Sequence, residues 1–281
     1  MSKKHKVILA SDLHYNCANY FGRPFDEGME LLIKDLACEY SVSPYEALLL
    51  LGDYSLDFWC YKNYGSYLNL GISSTKLFVE RYLDRLVPKN VEVKMIAGNH
   101  EQYGEKLFNE ITGYNRRDHI VIGNILFILT DTFGLDLDPD FNSDGTYSGA
   151  NVNDIKKLMS KYQGKKVIIC AHHFDMEKES QEFLDLIKNE KSIVCLFSGH
   201  EHKSHIKTTG EQNGNKPIVF TGHYSYSGEP NNVRCLPGYR VLEFDDNGLT
   251  CKYVVHSHRY KIGDVYFTNE YTEQDVVEIK F

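Results

Sequence analysis

No two of the seven cysteines stand in a Cys-x-x-Cys pair, and their number is odd. That excludes a disulfide framework and a thiolate zinc clamp as organising devices. Cys170 and Cys195 lie inside apolar runs and read as reduced packing thiols. Prolines number seven, and no proline-rich or glycine/serine-rich stretch divides the 281 residues, so one domain over residues 1–281 is expected. No apolar run is long enough to span a bilayer. The start, Met1-Ser2-Lys3-Lys4-His5-Lys6, is basic like an export signal, but Asp12 and His14 interrupt the apolar segment behind it. A cytoplasmic protein is therefore expected, with no membrane partner. Positive charge is scarce: 31 Lys and Arg against 39 Asp and Glu give a formal charge of −8. Such a field repels polyanions, which disfavours a nucleic-acid partner without acting against a local cation site. Internal repeats and low-complexity tracts are missing too. What remains, 42% hydrophobic and 25% charged, is the make-up of a soluble globular protein.

Against this plain background one construction recurs. Val93-Lys94-Met95-Ile96-Ala97 is a short, mainly apolar run that stops at Gly98 and at once presents Asn99, His100 and Glu101. Val7 to Ser11 runs into Asp12-Leu13-His14, and Leu48 to Leu51 into Gly52-Asp53. Val167 to Ala171 runs into His172-His173, and Ile193 to Ser198 into Gly199-His200-Glu201-His202. Short apolar runs of this kind read as buried strands. In open α/β sheets the carboxyl ends of the strands share one crevice, so polar residues far apart in sequence can converge there.

Between these runs, Asp26 to Glu39 carries Met29, Leu32, Ile33 and Leu36 at helical spacing, and Lys76 to Leu86 is amphipathic behind a cap at Ser73-Ser74-Thr75. Shorter helices are expected over Tyr103 to Ile111 and Asn153 to Tyr162. Ile120 to Asp131 reads as two strands turned at Gly123-Asn124, which makes the sheet mixed. From Lys216 onward β-type runs dominate, at Pro217 to Thr221, Tyr239 to Phe244, Leu249 to His256 and Val276 to Phe281. This last part, from about residue 216, is expected to build a second sheet.

Asp12, His14, Asp53, Asn99, His172, His200 and His202 are oxygen and imidazole donors without a thiolate among them. That set suits divalent ions of intermediate hardness such as Mn, Fe, Zn, Ni or Co. The seven are too many for one tetrahedral ion and about right for two ions that share a carboxylate. Two aspartates do not neutralise two dications, so such a centre stays positive and can hold a phosphate ester. Any one of the twelve histidines is more simply a satisfied polar residue. It is their joint placement at separate strand ends that argues for metal.

Taken in order, Asp12-x-His14, Gly52-Asp53, Gly98-Asn99-His100-Glu101, Ala171-His172 and Gly199-His200-Glu201-His202 resemble the motifs of the calcineurin-like metallophosphoesterase family, over the span to His202. The resemblance implies an α/β fold, a four-layer α/β/β/α sandwich of two mixed β-sheets flanked by helices, with a dinuclear metal site at the strand carboxyl ends. It implies that Asp12, His14, Asp53 and His202 hold one ion, that Asp53, Asn99, His172 and His200 hold the other, and that Asp53 is the bridge. His100 matches the family's non-ligand histidine, a general acid, and Glu101 resembles the acidic partner that orients it. The implied activity is hydrolysis of a phosphodiester or phosphomonoester bond of a small substrate by a metal-bound hydroxide attacking phosphorus. A non-catalytic metal-binding interaction scaffold and a nuclease acting on nucleic acid are the alternatives. Ala171 stands where the family often has glycine, and His173 follows at once. Strand alternation puts the two histidines on opposite sides, and the match in position favours His172.

Several further features have plainer readings beside the functional one. His223 follows a strand and is a candidate to reach the crevice, although a loop histidine is more often solvated. His119, His205, His256 and His258 lie outside the motifs and read as surface or hydrogen-bonded residues. Asp140 to Gly145 opens like a calcium loop, but Asn151 stands where the bidentate glutamate belongs, so a polar turn is preferred. Asp131 reads as a residue that holds loop backbone. Trp59, Tyr61, Tyr64 and Tyr67 follow Asp53 and read equally as a lip that stacks on substrate or as packing for a long loop.

Overall fold

The computed structural model describes residues 3–15, 25–55, 74–101, 103–133, 145–225, 233–255, 259–262, 265–268 and 272–281. Trp59, Tyr61, Tyr64 and Tyr67, the stretch from Asp140 to Asp144, and His256 and His258 lie outside the described residues. In the first sheet β1 (His5–Ala10), β2 (Ala47–Leu50) and β3 (Glu92–Met95) run parallel. On the other side of β1 the sheet continues antiparallel through β10 (Tyr239–Asp245), β11 (Gly248–Val255) and β14 (Thr272–Lys280). The second sheet has β5 (Ile125–Leu129), β6 (Lys166–Ala171), β7 (Ile193–Ser198) and β9 (Pro217–Phe220) in parallel, edged by antiparallel β4 (Asp118–Ile122) and β8 (Ile206–Thr208). A separate hairpin joins β12 (Arg259–Ile262) to β13 (Val265–Thr268).

Both sheets are mixed, as expected, but their membership corrects the sequence reading. Of the strands after residue 216, only Pro217–Phe220 joins the second sheet, which residues 118–220 build; β10, β11 and β14 extend the first. The reason lies in β1, whose Val7, Ile8, Leu9 and Ala10 are all fully buried. A strand apolar on both faces must sit inside a sheet, so the edge that β2 leaves open is taken by β10, in register from His5 with Phe244 to Leu9 with Arg240.

Three apolar layers hold the stack together. On the outer face of the first sheet, α1 (Phe25–Val42), a helical run over 74–86 (α2) and α3 (Glu105–Thr112) bring Met29, Leu32, Phe78 and Phe108 against Ile8, Leu48 and Met95. Within α2, Val79–Leu83 adopts a π-helical turn, which periodicity alone did not reveal. Between the sheets, Val7, Leu9 and Leu242 of one meet Phe127, Ile168 and Phe197 of the other. On the far face α4 (Val152–Lys161) and α5 (Gln181–Asn189) place Ile155, Phe183 and Ile187 on Leu126, Ile169 and Leu196. Ser180 caps α5 by accepting from the Phe183 amide at 3.2 Å, a helix not anticipated from the sequence. The result is a four-layer α/β/β/α sandwich.

One buried cation pins the two sheets together. Arg240 of β10 donates to the carbonyls of Phe220 (2.9 Å) and His205 (3.3 Å) on the second-sheet side, and to that of Asp275 (2.7 Å) on the first. Its Nη2 also reaches the Ser204 hydroxyl at 3.1 Å. Arg240→Leu leaves these carbonyls without their donor in a dry interior, and should cost about 2–4 kcal/mol of folding stability. Urea unfolding should therefore show a lower midpoint at an unchanged slope.

Candidate metal centre

The carboxyl ends of β1, β2, β3, β6 and β7 meet along one rim. After β1 and β2 the chain does not splay apart, because the Asp12 amide donates to the Gly52 carbonyl (3.1 Å) and the His14 amide to that of Asp53 (3.0 Å). These strand ends turn sharply. Asp12, His14, Asp53, His200 and His202 all have left-handed backbone, with φ of 55°, 46°, 58°, 71° and 50°. That conformation occurs in only a few per cent of non-glycine residues, and it persists where surrounding structure over-determines it. Five such residues on one rim point to a site whose side-chain directions outweigh backbone comfort. The glycines of the motifs serve close approach: a Cβ on Gly98 would lie 2.2 Å from Asp53 Oδ1, and one on Gly199 would lie 2.6 Å from Ser11 Oγ.

All seven anticipated donors are drawn together, and each aspartate divides its two oxygens. Asp53 Oδ1 accepts from the His100 amide at 3.0 Å, while Oδ2 faces His172 Nε2 at 3.1 Å, His100 Nε2 at 3.7 Å and His14 Nε2 at 3.8 Å. Asp12 Oδ2 accepts from the His200 amide at 3.0 Å and from the Ser11 hydroxyl, while Oδ1 faces His202 Nε2 at 3.2 Å. His14 and His202 point Nε2 at each other across 2.8 Å. Asn99 Oδ1 lies 2.8 Å from His172 Nε2 and 2.9 Å from His200 Nδ1. Three overlapping groups have ligand atoms within 4.8 Å of one another: Asp12, His14 and His202; His14, Asp53 and His100; Asp53, His172 and His200. The His172 Nδ1 lies 2.8 Å from the Leu51 carbonyl, which can only accept, so Nδ1 carries a proton and Nε2 is the nitrogen that faces inward.

The electrostatics of the rim call for a cation. Burial opposes ionisation of Asp53, yet the imidazoles of His172 and His100 hold its carboxyl well below the usual range. Burial likewise opposes ionisation of Asp12, and His202 overcomes it in the same way. Reciprocally, burial disfavours the imidazolium of His172, but Asp53 pushes its pKa up to about 9. Burial drives His14 well below its ordinary value, and it brings His100 down to about 4. Two buried carboxylates thus draw positive charge onto a neighbouring histidine. Oxygen and imidazole donors converge with anchored outer atoms, and this arrangement fits divalent metal.

Glu101 departs from its expected place. Instead of addressing the His100 ring, its carboxylate accepts three backbone amides: Gly98 (2.7 Å) and Asp53 (2.8 Å) at Oε2, and Tyr54 (2.8 Å) at Oε1. It therefore bolts the β3 end to the β2 end. Burial, with Asp53 nearby, raises its pKa to about 7 against the pull of those amides. Arg116, which no motif marks, does similar work behind it: Nη1 donates to the Glu101 and Tyr103 carbonyls at 2.6 Å, and Nε to Asp131 at 2.7 Å. Asp131 also accepts from the Phe133 amide (3.0 Å), the loop-holding role read from sequence.

Among the histidines in question, His173 is not turned away from the rim as strand alternation suggested; its ring lies 4.3 Å from that of His200. His223 is fully buried, accepts from the Ser225 amide at Nδ1 (3.1 Å) and so donates from Nε2 to the Cys235 carbonyl (2.7 Å). With its ring 5.7 Å from His202, it backs that residue and does not enter the cluster. His119 meets the Tyr162 hydroxyl at 3.0 Å, and His205 pairs with Glu201 at 2.9 Å.

A family model described as calcineurin-like phosphoesterase matches residues 5–204. No curated protein matches the chain by sequence. Among solved structures, a purple acid phosphatase from yellow lupin (Lupinus luteus) seeds is 15% identical, with a TM-score of 0.55 over 98% of this chain and 55% of its own. PhoD is 10% identical, with a TM-score of 0.54 over 94% of this chain and 68% of its own. At such identities the likeness concerns the fold alone. No helix among the described residues is long and apolar enough to cross a membrane.

Glu101→Ala removes one acceptor from three buried amides and should destabilise the protein by about 3 kcal/mol, near 1 kcal/mol per lost bond. Glu101→Gln, which keeps one acceptor oxygen, should fall between the two in urea unfolding. Equal stabilities for all three proteins would remove Glu101 from its bolting role.

Proposed function

This chain belongs to the calcineurin-like phosphoesterase family, and we propose that it is a metal-dependent hydrolase of phosphodiester or phosphomonoester bonds in a small substrate. The divided aspartates carry this reading: in Asp12 and Asp53 one oxygen is tied to backbone and the other is aimed at histidine nitrogens. An ion-pair network built only for stability has no need to aim seven donors at one point. When bound, two divalent ions supply Lewis acidity toward phosphoryl oxygens and acidify a water.

In this reading Asp12, His14, Asp53 and His202 would hold one ion and Asp53, Asn99, His172 and His200 the other, with Asp53 common to both sets. The Leu51 carbonyl keeps His172 in the tautomer that offers Nε2. Glu101 keeps the Asp53 and Asn99 turns in register, so that carboxylate and amide oxygens meet the same histidine. His100, 8% exposed, holds the proton that Nε2 hands to the departing ester oxygen. Burial alone strips that proton, but the negative charge of a phosphate ester beside the ring works the other way. The net charge of −8 favours a small ester over a polyanion.

Hydrolysis of bis(p-nitrophenyl) phosphate beside p-nitrophenyl phosphate, with manganese-reloaded protein and a chelator control, tests the activity. Chelator-sensitive cleavage of either supports it; two bound ions with no cleavage would favour a non-catalytic scaffold. His100→Ala should lower kcat by about 10²- to 10⁴-fold with metal content intact. Loss of metal in that variant would make His100 a ligand. Asp53→Asn should deplete both ions in elemental analysis, whereas loss of only one would end its assignment as the bridge.

A further inference from the structure

Beside the His172–His200 half of the centre lies a cleft of about 610 Å³ that the reaction as described does not use. It shares His200 with the metal cluster, so a ligand anchored at the centre extends directly into it. Four rings line it: Phe133, Tyr147, His173 and His200. Tyr147 stands edge-on to Phe133, with centroids 5.9 Å apart at 89°, and edge-on to His173 at 5.7 Å and 75°.

These rings are held rather than merely collapsed together. The Tyr147 hydroxyl donates to Glu179 Oε1 at 2.5 Å and accepts from the Asp175 amide at 3.0 Å. Glu179, itself buried, also takes the Ala150 amide at 3.1 Å. Phe133 pairs with Tyr147 through an isolated antiparallel bridge, supported by the Ser148 amide donating to the Thr132 carbonyl at 2.8 Å. Thr146 and the Lys178–Asp175 pair, 2.9 Å apart, add polar lining. A ring held in place, as Tyr147 is by its hydroxyl and Phe133 by its backbone bridge, offers apolar surface at low entropic cost, and offset or edge-on packing suits another flat ring. An aliphatic chain needs no such fixed geometry. A volume of this size is ample for a single aryl or base group.

We propose that this cleft seats a planar aromatic group, aryl or nucleobase, carried by the phosphate ester whose phosphoryl group sits at the metal centre. The assignment rests on the phosphoesterase reading and names the substrate class for it: esters with a flat ring within reach of phosphorus. Phe133, Tyr147 and His173 are its specificity-determining residues.

The test measures binding and does not depend on turnover. Manganese-loaded protein is titrated by calorimetry with inorganic phosphate, then with phenylphosphonate against methylphosphonate, which cannot be hydrolysed. An adenine-bearing phosphonate is compared with its ringless chain in the same way. At least one ring-bearing ligand should bind about tenfold tighter than its ringless counterpart, the scale of one stacked ring. An advantage in the phenyl pair identifies a general aryl slot, and one in the adenine pair alone identifies a base slot. Tyr147→Ala should erase the ratio and Tyr147→Phe should keep it, and His173→Ala should reduce it if Tyr147→Ala does not fold. Equal affinity within both pairs, while inorganic phosphate still binds, overturns the cleft and leaves the phosphoesterase reading standing. Failure of phosphate itself to bind overturns both.

Discussion

The geometry of the rim depends on one buried carboxylate that points at no ligand. Glu101 gathers the amides of Gly98, Asp53 and Tyr54, and in doing so fixes how the end of β3 lies against the end of β2. Without that clamp the two loops would have to satisfy three buried donors elsewhere, and left-handed Asp53, with its φ of 58°, would lose the partner of its own amide. Behind the clamp, Arg116 holds the Glu101 carbonyl and Asp131, and Asp131 holds the Phe133 amide. A continuous chain of hydrogen bonds therefore leads from the middle of the rim to the first ring of the aromatic cleft. Position at the candidate metal centre and position in the cleft are set by the same network.

Charge is arranged with equal economy. The rim buries two aspartates among five histidines, and each aspartate uses its outer oxygen on an amide before presenting the inner one. Anchoring one oxygen limits rotation of the carboxylate, so the inner oxygen is presented in a fixed direction. The histidines are braced in turn: His172 by the Leu51 carbonyl, and His202 by the packing of His223. A site braced on this scale needs little rearrangement when a ligand arrives.

How much of this was legible in the sequence follows from what kind of pattern each part leaves. Strands ending in Asp, His or Asn after glycine are local signals, and the rim residues could be named because each donor sits directly behind its own apolar run. The sandwich was legible in class but not in wiring, because which sheet a late strand joins is decided by the buried edge of β1, hundreds of residues away. In sequence Glu101 reads as a partner of the neighbouring ring, because its actual partners are backbone amides, which leave no residue pattern. Arg116 sits in Arg116-Arg117-Asp118, indistinguishable from a solvated charge run. The placement of His173 beside His200 was missed because alternation holds within a strand, and the chain has already left β6 at that point.

The central position of β1 also constrains the order in which the fold can be completed. His5 pairs with Phe244, so β1 waits for a strand that lies far behind it in the chain before its second edge is covered. Until then the nascent chain carries an apolar strand with open amides and carbonyls, the kind of edge that recruits foreign strands. The same strand ends in Asp12 and His14, and its loop is braced by Ser225, whose hydroxyl donates to the Asp12 carbonyl at 2.9 Å. The rim is thus completed only when β1 and the loop behind it have met residues more than two hundred positions further along.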